Sequence, residues 1–299
     1  AASGRPPLTM PERRPTWQAL AADLGDATRQ VRAVARWGAA SARRPRGDAA
    51  GTSATPRASA SDPAGAPPGW VVPTVVAECS TADVETAAER HGGTVNTWFV
   101  ALCASLVVSA GMADDDGSVR VALPVATRQP DDPRANATRI AHVDVDTGDL
   151  GRHDLAPVRA GCKEAYAALA TSSPSGPGDG STGSLLTLVQ MLPDAVVRRL
   201  PVPTGPQVLA SNLGMMSPAF GAPTGTPARS IAAMAGHRVV DDAEIRALGG
   251  GLTAWACTSG DRTTVTVAAL DPGRVPDDDT LRALLRSGLT AWDVEARLW

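Results

Sequence analysis

T-V-N-T-W-F-V-A-L-C-A-S-L-V-V-S-A-G-M, residues 94–112, contains no charged residue; Gly92-Gly93 precede it and Gly111 marks its end. Thr94 is placed to cap a helix, since its hydroxyl can accept from a free amide in the first turn. On that helix Trp98, Phe99, Leu102, Leu106 and Val107 cannot share one face. A helix that is apolar all round is buried, either inside a large domain or in a membrane. Asn96, Thr97, Ser105 and Ser109 dilute the run, and its length is barely sufficient to span a bilayer, so it reads as a core helix. Asp114-Asp115-Asp116-Gly117 then makes a turn, and V-R-V-A-L-P-V-A-T-R (119–128) reads as a strand. A buried helix feeding a strand implies an α/β arrangement.

The chain has 299 residues, enough to bury a sizeable core in one or two domains. A net charge of −3 gives no electrostatic reason to expect nucleic acid. Cys79, Cys103, Cys162 and Cys257 stand far apart with no C-x-x-C pair, so neither a zinc site nor a disulfide framework is signalled. They are expected to be reduced thiols packed as small apolar groups in a cytoplasmic protein. The first ten residues lack the apolar run of a signal peptide. Met10 is the first methionine, so Ala1 is expected to stand inside a longer reading frame.

In chain order, residues 16–42 have helical spacing with Trp17, Leu20, Leu24, Val31, Val34 and Trp37 roughly on one side and Arg29, Arg32 and Arg36 on the other. Such a helix either lies on an anionic membrane or docks on its own protein. Residues 43–69, rich in Ala, Ser, Pro, Gly and Arg, read as a disordered linker, and the compact region is expected over 70–299.

Within 70–299 a strand is expected over 71–79, with Pro73 pushing it to a sheet edge or confining pairing to its second half. A short polar helix capped by Thr81 follows. Residues 139–146 alternate with period two, Ala141, Val143 and Val145 facing one way and Ile140, His142 and Asp144 the other. Leu155–Thr171 is an amphipathic helix, and another apolar run covers 184–192. Strands are expected at 207–213, 229–240, 252–258 and 262–270, the last two joined through Ser259-Gly260-Asp261 as a hairpin. Asp277 caps a closing helix that runs toward Trp299, with Leu281, Leu284, Leu285, Leu289 and Trp292 buried.

Few of these residues carry chemistry by themselves. Gly178–Gly183 fits G-x-G-x-x-G, but a Ser/Pro/Gly stretch precedes it where a strand is needed, so it reads as coincidence. Of the four histidines, His91 and His153 read as solvated. His142 shares a strand face with Asp144, an arrangement that either orients an imidazole for base work or is the wet face of a half-buried strand. His237 lies on an expected inner strand beside Gly236, and the same two readings apply.

The order of elements from residue 70 onward resembles the wax ester synthase/diacylglycerol acyltransferase family. T-V-N-T-W-F-V-A-L-C-A-S-L (94–106) resembles its T-V-N-D-V-x-L-A-x-x-A-G-A-L helix, and V-R-V-A-L-P-V-A-T-R (119–128) its L-R-A-x-V-P-V-S-x-R strand. Ala135-Asn136 stands where Gly-Asn usually follows, and Ser211-Asn212-Leu213-Gly214 resembles S-N-V-P-G. A-G-H-R-V-V (235–240), the run 250–272 and V-P-D (275–277) are similar to the family's closing strands. The resemblance implies an α/β two-layer sandwich lobe of the CoA-dependent acyltransferase, or condensation-domain-like, fold, with a mixed sheet packed by helices.

The resemblance also implies transfer of an acyl group from a coenzyme A thioester to a long-chain alcohol or diacylglycerol, with acyl-CoA as substrate and no metal or other cofactor. The family's catalytic histidine belongs to H-H-x-x-x-D-G, where it acts as general base on the acceptor hydroxyl. This chain has no His-His pair, so it looks like the second lobe and the linker before it, inactive alone, with His142 and His237 the weak stand-ins. The alternative is a non-catalytic lipid-binding or scaffold lobe. Two further departures are Thr97 in place of the family's Asp and Leu213-Gly214-Met215 where the family has V-P-G.

By the resemblance, Asn96, Thr97, Asn136, Ser211 and Asn212 are the substrate-binding candidates. The amides of Asn96 and Asn212 either line the tunnel floor or bond backbone groups left unpaired at element ends. A separate first lobe, and peripheral contact of the chain with membrane or lipid droplets, complete the expected partners.

Overall fold

The computed structural model describes residues 66–67, 69–127, 138–171, 206–222, 224–236 and 251–299. All of these fall in one compact unit formed by Ala54–Thr171 with Val202–Trp299. The expected helix at 16–42, the linker up to residue 65, the glycine motif at 178–183 and the apolar run at 184–192 lie outside the described residues.

Along the chain the elements are β1 (Thr74–Ser80), α1 (Thr81–Arg90), α2 (Val95–Ser109), β2 (Ser118–Ala126) and β3 (Thr138–Asp146). They continue with α3 (Thr147–Gly151), α4 (Leu155–Thr171), β4 (Val208–Met215), α5 (Pro218–Gly221), β5 (Leu252–Ser259), β6 (Arg262–Ala269), α6 (Asp278–Ala291) and β7 (Ala296–Leu298). Among the described residues seven strands form one sheet in the order β3-β2-β4-β5-β6-β1-β7. The β2–β4 and β4–β5 pairs are parallel and the others antiparallel, so the sheet is mixed.

α2 lies at the centre, as its uncharged sequence predicts. It packs on β2, β4 and β5 and is flanked by α1, α4 and α6. Trp98, Phe99, Leu102, Leu106 and Val107, which point to all sides, are each no more than 1% exposed. One face of the sheet supplies the facing layer: Val75, Ala77, Val121, Val143, Val208, Ala254 and Val265 join the helices in one apolar cluster. α6 reaches α2 through Gly288, where a Cβ would stand 2.9 Å from the Leu106 side chain and 3.2 Å from Leu102. Among the described residues no single helix is long and apolar enough to cross a membrane.

Strand formation follows local chemistry. β1 starts at Thr74 because Pro73 has no N–H to give to a ladder, and pairing is confined to the second half of the expected segment. β1 is an inner strand, paired with β6 on one side and β7 on the other. In β3 the alternation is complete, with Ala141, Val143 and Val145 buried and Ile140, His142 and Asp144 exposed. β5 and β6 close over Gly260-Asp261, with Ser259 and Arg262 in register.

Three expectations are corrected. The segment 229–236 is not a strand; it crosses the sheet face opposite the helices, held by side-chain bonds instead of a ladder. There Ser230 donates to Glu78 (2.9 Å), and the Ile231 carbonyl accepts from Thr264 (2.6 Å) and Cys257 (3.1 Å). Residues 237–240 of the same expected strand lie outside the described residues. The closing helix, capped by Asp277 as expected, stops at Ala291. Asp293 then takes a φ of 58°, which ends the helix and sends the chain back along β1 as β7. The cap of α1 is Ser80, whose hydroxyl accepts from the Asp83 amide, and Thr81 is the first helical residue.

Candidate functional site

Two hydroxyls fix the entry into α2. Thr94, in an extended conformation, accepts the Thr97 amide on its side chain, while the Thr97 hydroxyl accepts the Thr94 amide at 2.7 Å and donates to the Thr94 carbonyl at 2.9 Å. This is a capping box in which Thr does the work usually done by Glu or Gln. Thr97 is 3% exposed and its hydrogen-bonding capacity is taken up by the cap. Asn96, one residue earlier in the same first turn, is left to project from it.

β4 brings the second amide. It is held in parallel register between β2 and β5, and Val208 and Ala210 of this strand are buried toward the helices. By period-two alternation Asn212 continues that face. Immediately after it the register slips between Asn212 and Met215, and the freed Gly214 amide donates to Asn212 Oδ1 at 2.9 Å. Asn212 Nδ2 donates to Asn96 Oδ1 at 3.1 Å, and Asn96 Nδ2 reaches the Tyr166 hydroxyl on α4 at 3.3 Å. Residues 116 and 70 positions apart thus form one continuous chain of hydrogen bonds.

Nothing in the sequence around Tyr166 marks it as a site residue. α4 is legible there only as an amphipathic helix, and the one available signal is that Tyr166 is the single tyrosine of the chain. Burial pushes its phenol above the usual tyrosine range, and the Asn96 amide works in the opposite direction. Because there is one tyrosine, tyrosinate absorbance reports this hydroxyl alone. Asn96→Leu keeps the branching at Cγ but removes the donor, so the titration midpoint is expected to move upward. A downward move would mean that the phenol donates to Asn96.

The other candidates are placed elsewhere. Ser211, in register with Trp255, alternates with Asn212 and faces the opposite side of β4. His142 lies opposite Ala122 on the side of β3 away from the core, bordering an open groove of about 360 Å³ with Asp144, Gly161, Glu164 and Ala165. Asp144 is clasped by Arg120 in a two-point ion pair of 2.7 and 2.9 Å. Burial, and then the Arg120 charge, push the His142 imidazolium toward losing its proton, with Asp144 opposing. The structure does not bring His142 to the Asn96–Asn212 pair. Asn136 and His237 lie outside the described residues.

His91 and His153, expected to be solvated, pack together against Trp292. Their rings are 5.8 Å apart and lie edge-on to the indole at 5.3 and 4.9 Å. His91 Nε2 is 3.1 Å from Asp293, whose carboxyl is held below its ordinary value by Arg90 first and His91 second.

No protein-family model and no curated protein matches the chain. Solved structures do. The trichothecene 15-O-acetyltransferase from Fusarium sporotrichioides superposes with a TM-score of 0.51 at 15% identity, over 78% of this chain and 48% of that protein. The condensation domain of the monacolin K polyketide synthase superposes with a TM-score of 0.50 at 12% identity, over 96% of this chain and 62% of that one. The wax ester synthase/diacylglycerol acyltransferase from Marinobacter aquaeolei VT8 gives 0.48 at 14% identity, over 78% of this chain and 50% of that one. The chain therefore spans about half to three fifths of the length of these proteins. With the mixed sheet and the helical layer of its described residues, it is an α/β lobe of the condensation-domain-like, CoA-dependent acyltransferase fold.

Proposed function

We propose that the chain is the second lobe of an acyl-CoA-dependent O-acyltransferase of the wax ester synthase/diacylglycerol acyltransferase type, working with a base supplied from outside these residues. The observation that carries this reading is the 3.1 Å bond between Asn96 and Asn212. These are the asparagines of the two stretches, T-V-N and S-N, that resemble the family, and they meet where α2 and β4 converge. The strand leaving them is apolar and open: Leu213 is 48% exposed, Met215 67% and Phe220, just beyond, 63%. Apolar side chains beside a few fixed polar groups suit a long acyl chain with one reactive end.

In the reaction the base takes the proton of the acceptor hydroxyl, whose oxygen attacks the thioester carbonyl carbon. The tetrahedral intermediate collapses with loss of the coenzyme A thiolate, which takes the proton back. This lobe contributes rigid hydrogen-bonding groups and an apolar wall. A long-chain alcohol or diacylglycerol is the acceptor in this reading, and the enzyme works in the cytoplasm at the surface of membranes or lipid droplets.

Thiol release from palmitoyl-CoA with hexadecanol or diacylglycerol tests it. The 299-residue chain alone is expected to stay at background. The product of a longer reading frame that includes H-H-x-x-x-D-G is expected to turn over. Turnover by this chain alone, or a longer product that carries the motif and stays silent, would overturn the reading.

A further inference from the structure

The direction of the hydrogen-bond chain is fixed at one end by a group that can only donate. The Gly214 backbone N–H is bound at 2.9 Å, so the Asn212 atom receiving it must be the carbonyl oxygen. Asn212 therefore presents its NH₂ to Asn96, and the Asn96 atom 3.1 Å away must be its own oxygen. That leaves the Asn96 NH₂ facing Tyr166 at 3.3 Å, and the phenol oxygen accepts. Amide orientations are ordinarily a choice between two fits, but here a backbone amide makes the choice for both. An oxygen that accepts from Asn96 keeps its proton for something else, and that something must be an acceptor.

We infer that Tyr166 donates a hydrogen bond from its hydroxyl to the carbonyl oxygen of the acyl thioester. The inference rests on the acyltransferase reading above and adds to it the residue that binds the reacting carbonyl. Of the two substrates, the thioester carbonyl has no proton to offer and can only accept, which matches what Tyr166 has left to give. The acceptor alcohol is a poorer match, because a donor bound to its attacking lone pair would weaken the nucleophile.

The phenol is half-buried, and burial pushes it further above neutral pH than an ordinary tyrosine. Asn96 lies in the first turn of a 15-residue helix, whose positive end favours charge building up nearby. As the carbonyl oxygen gains negative charge the Tyr166 hydrogen bond strengthens. The proton stays on the phenol throughout, so Tyr166 acts as a catalytic hydrogen-bond donor.

The test compares decanoyl-CoA with S-decyl-CoA, a thioether of the same length without the carbonyl, by calorimetric titration of the full 299-residue chain at pH 7. Tyr166→Phe is expected to weaken decanoyl-CoA binding by roughly 2- to 12-fold, the span of one neutral hydrogen bond, and to leave S-decyl-CoA unchanged. Asn96→Leu keeps the tyrosine but frees its oxygen, and is expected to lose the same preference for thioester over thioether. Equal weakening of both ligands by Tyr166→Phe, or no effect on either, overturns the assignment of Tyr166 while leaving the acyltransferase reading standing. Failure of the wild-type chain to bind either ligand overturns this inference, and turnover by the longer product decides the acyltransferase reading separately.

Discussion

Trp98→Ala is expected to lower the stability of the lobe by about 3–5 kcal/mol, the range for deleting a large aromatic from a packed core. Trp98 is 0% exposed on the central helix, which packs on β2, β4 and β5 and on α1, α4 and α6, so nothing solvent-facing can move in to refill its volume. Loss on that scale takes a large fraction of the margin of an ordinary domain. The indole adds a second expectation. Its N–H is buried without a partner among the described residues, a donor whose desolvation opposes folding. Trp98→Phe removes that donor together with part of the ring, so the two effects oppose each other and its cost is expected to be well below that of Trp98→Ala. Urea midpoints for the two variants measure the difference, and a loss in Trp98→Phe as large as in Trp98→Ala would refute the expectation.

Gly251→Ala is the second large effect, of about 3 kcal/mol or more. Gly251 has a φ of +91°, and a Cβ built there would lie 2.4 Å from the Gln207 carbonyl oxygen. That oxygen belongs to backbone and cannot swing aside, for it accepts the Leu252 amide at 2.9 Å. Gln207 is tied on its other side as well, with its N–H on the Arg120 carbonyl at 3.1 Å and its side-chain oxygen on the Arg120 amide at 2.8 Å. Making room for one methyl group therefore loosens the start of both parallel pairings. Conformational strain of about 1–2 kcal/mol adds to two or three weakened hydrogen bonds of about 1 kcal/mol each. Gly260→Ala supplies the control. Its φ is +59° with nothing within 4 Å of the new Cβ, so it carries the strain alone. Similar melting temperatures for the two variants would refute the close-approach argument.

The sequence shows most clearly what depends on neighbours in the chain. α2 follows from a charge-free run between glycines, β3 from strict alternation, and α4 starts and stops at Leu155 and Thr171 as its spacing predicts. The β5–β6 hairpin announces itself at Gly260-Asp261. The segment 229–236 has the apolar character of a strand, but it is spent against Cys257 and Thr264 across the sheet, which only the assembled sheet can determine. The end of α6 is hidden for a related reason. Trp-Asp-Val continues a helical pattern well enough, and it is the bond from Asp293 to Arg90, 203 positions earlier, that accompanies the reversal.

The candidate site divides the same way. Asn96 and Asn212 are conspicuous as amides at the ends of apolar elements. Their meeting is a product of topology, since β4 enters the sheet beside β2 by a parallel crossover. Thr97 resembles a weakened form of the family's acid, yet the cap is complete with a hydroxyl. Tyr166 gains its meaning solely from a neighbour 70 residues away.

The strand order has a temporal consequence. β1 is the first strand described, and both of its neighbours come from the other end of the chain: Val75 pairs with Val267, and Ala77 with Leu298. On the ribosome, β1 waits unpartnered until residues 262–298 have been made. Of the described strands, β2 and β3, and then β4 and β5, can pair earlier. Closure of the sheet is thus a late, long-range event, and a chain stalled before residue 262 leaves an apolar strand with both margins bare, a template for association with other stalled chains.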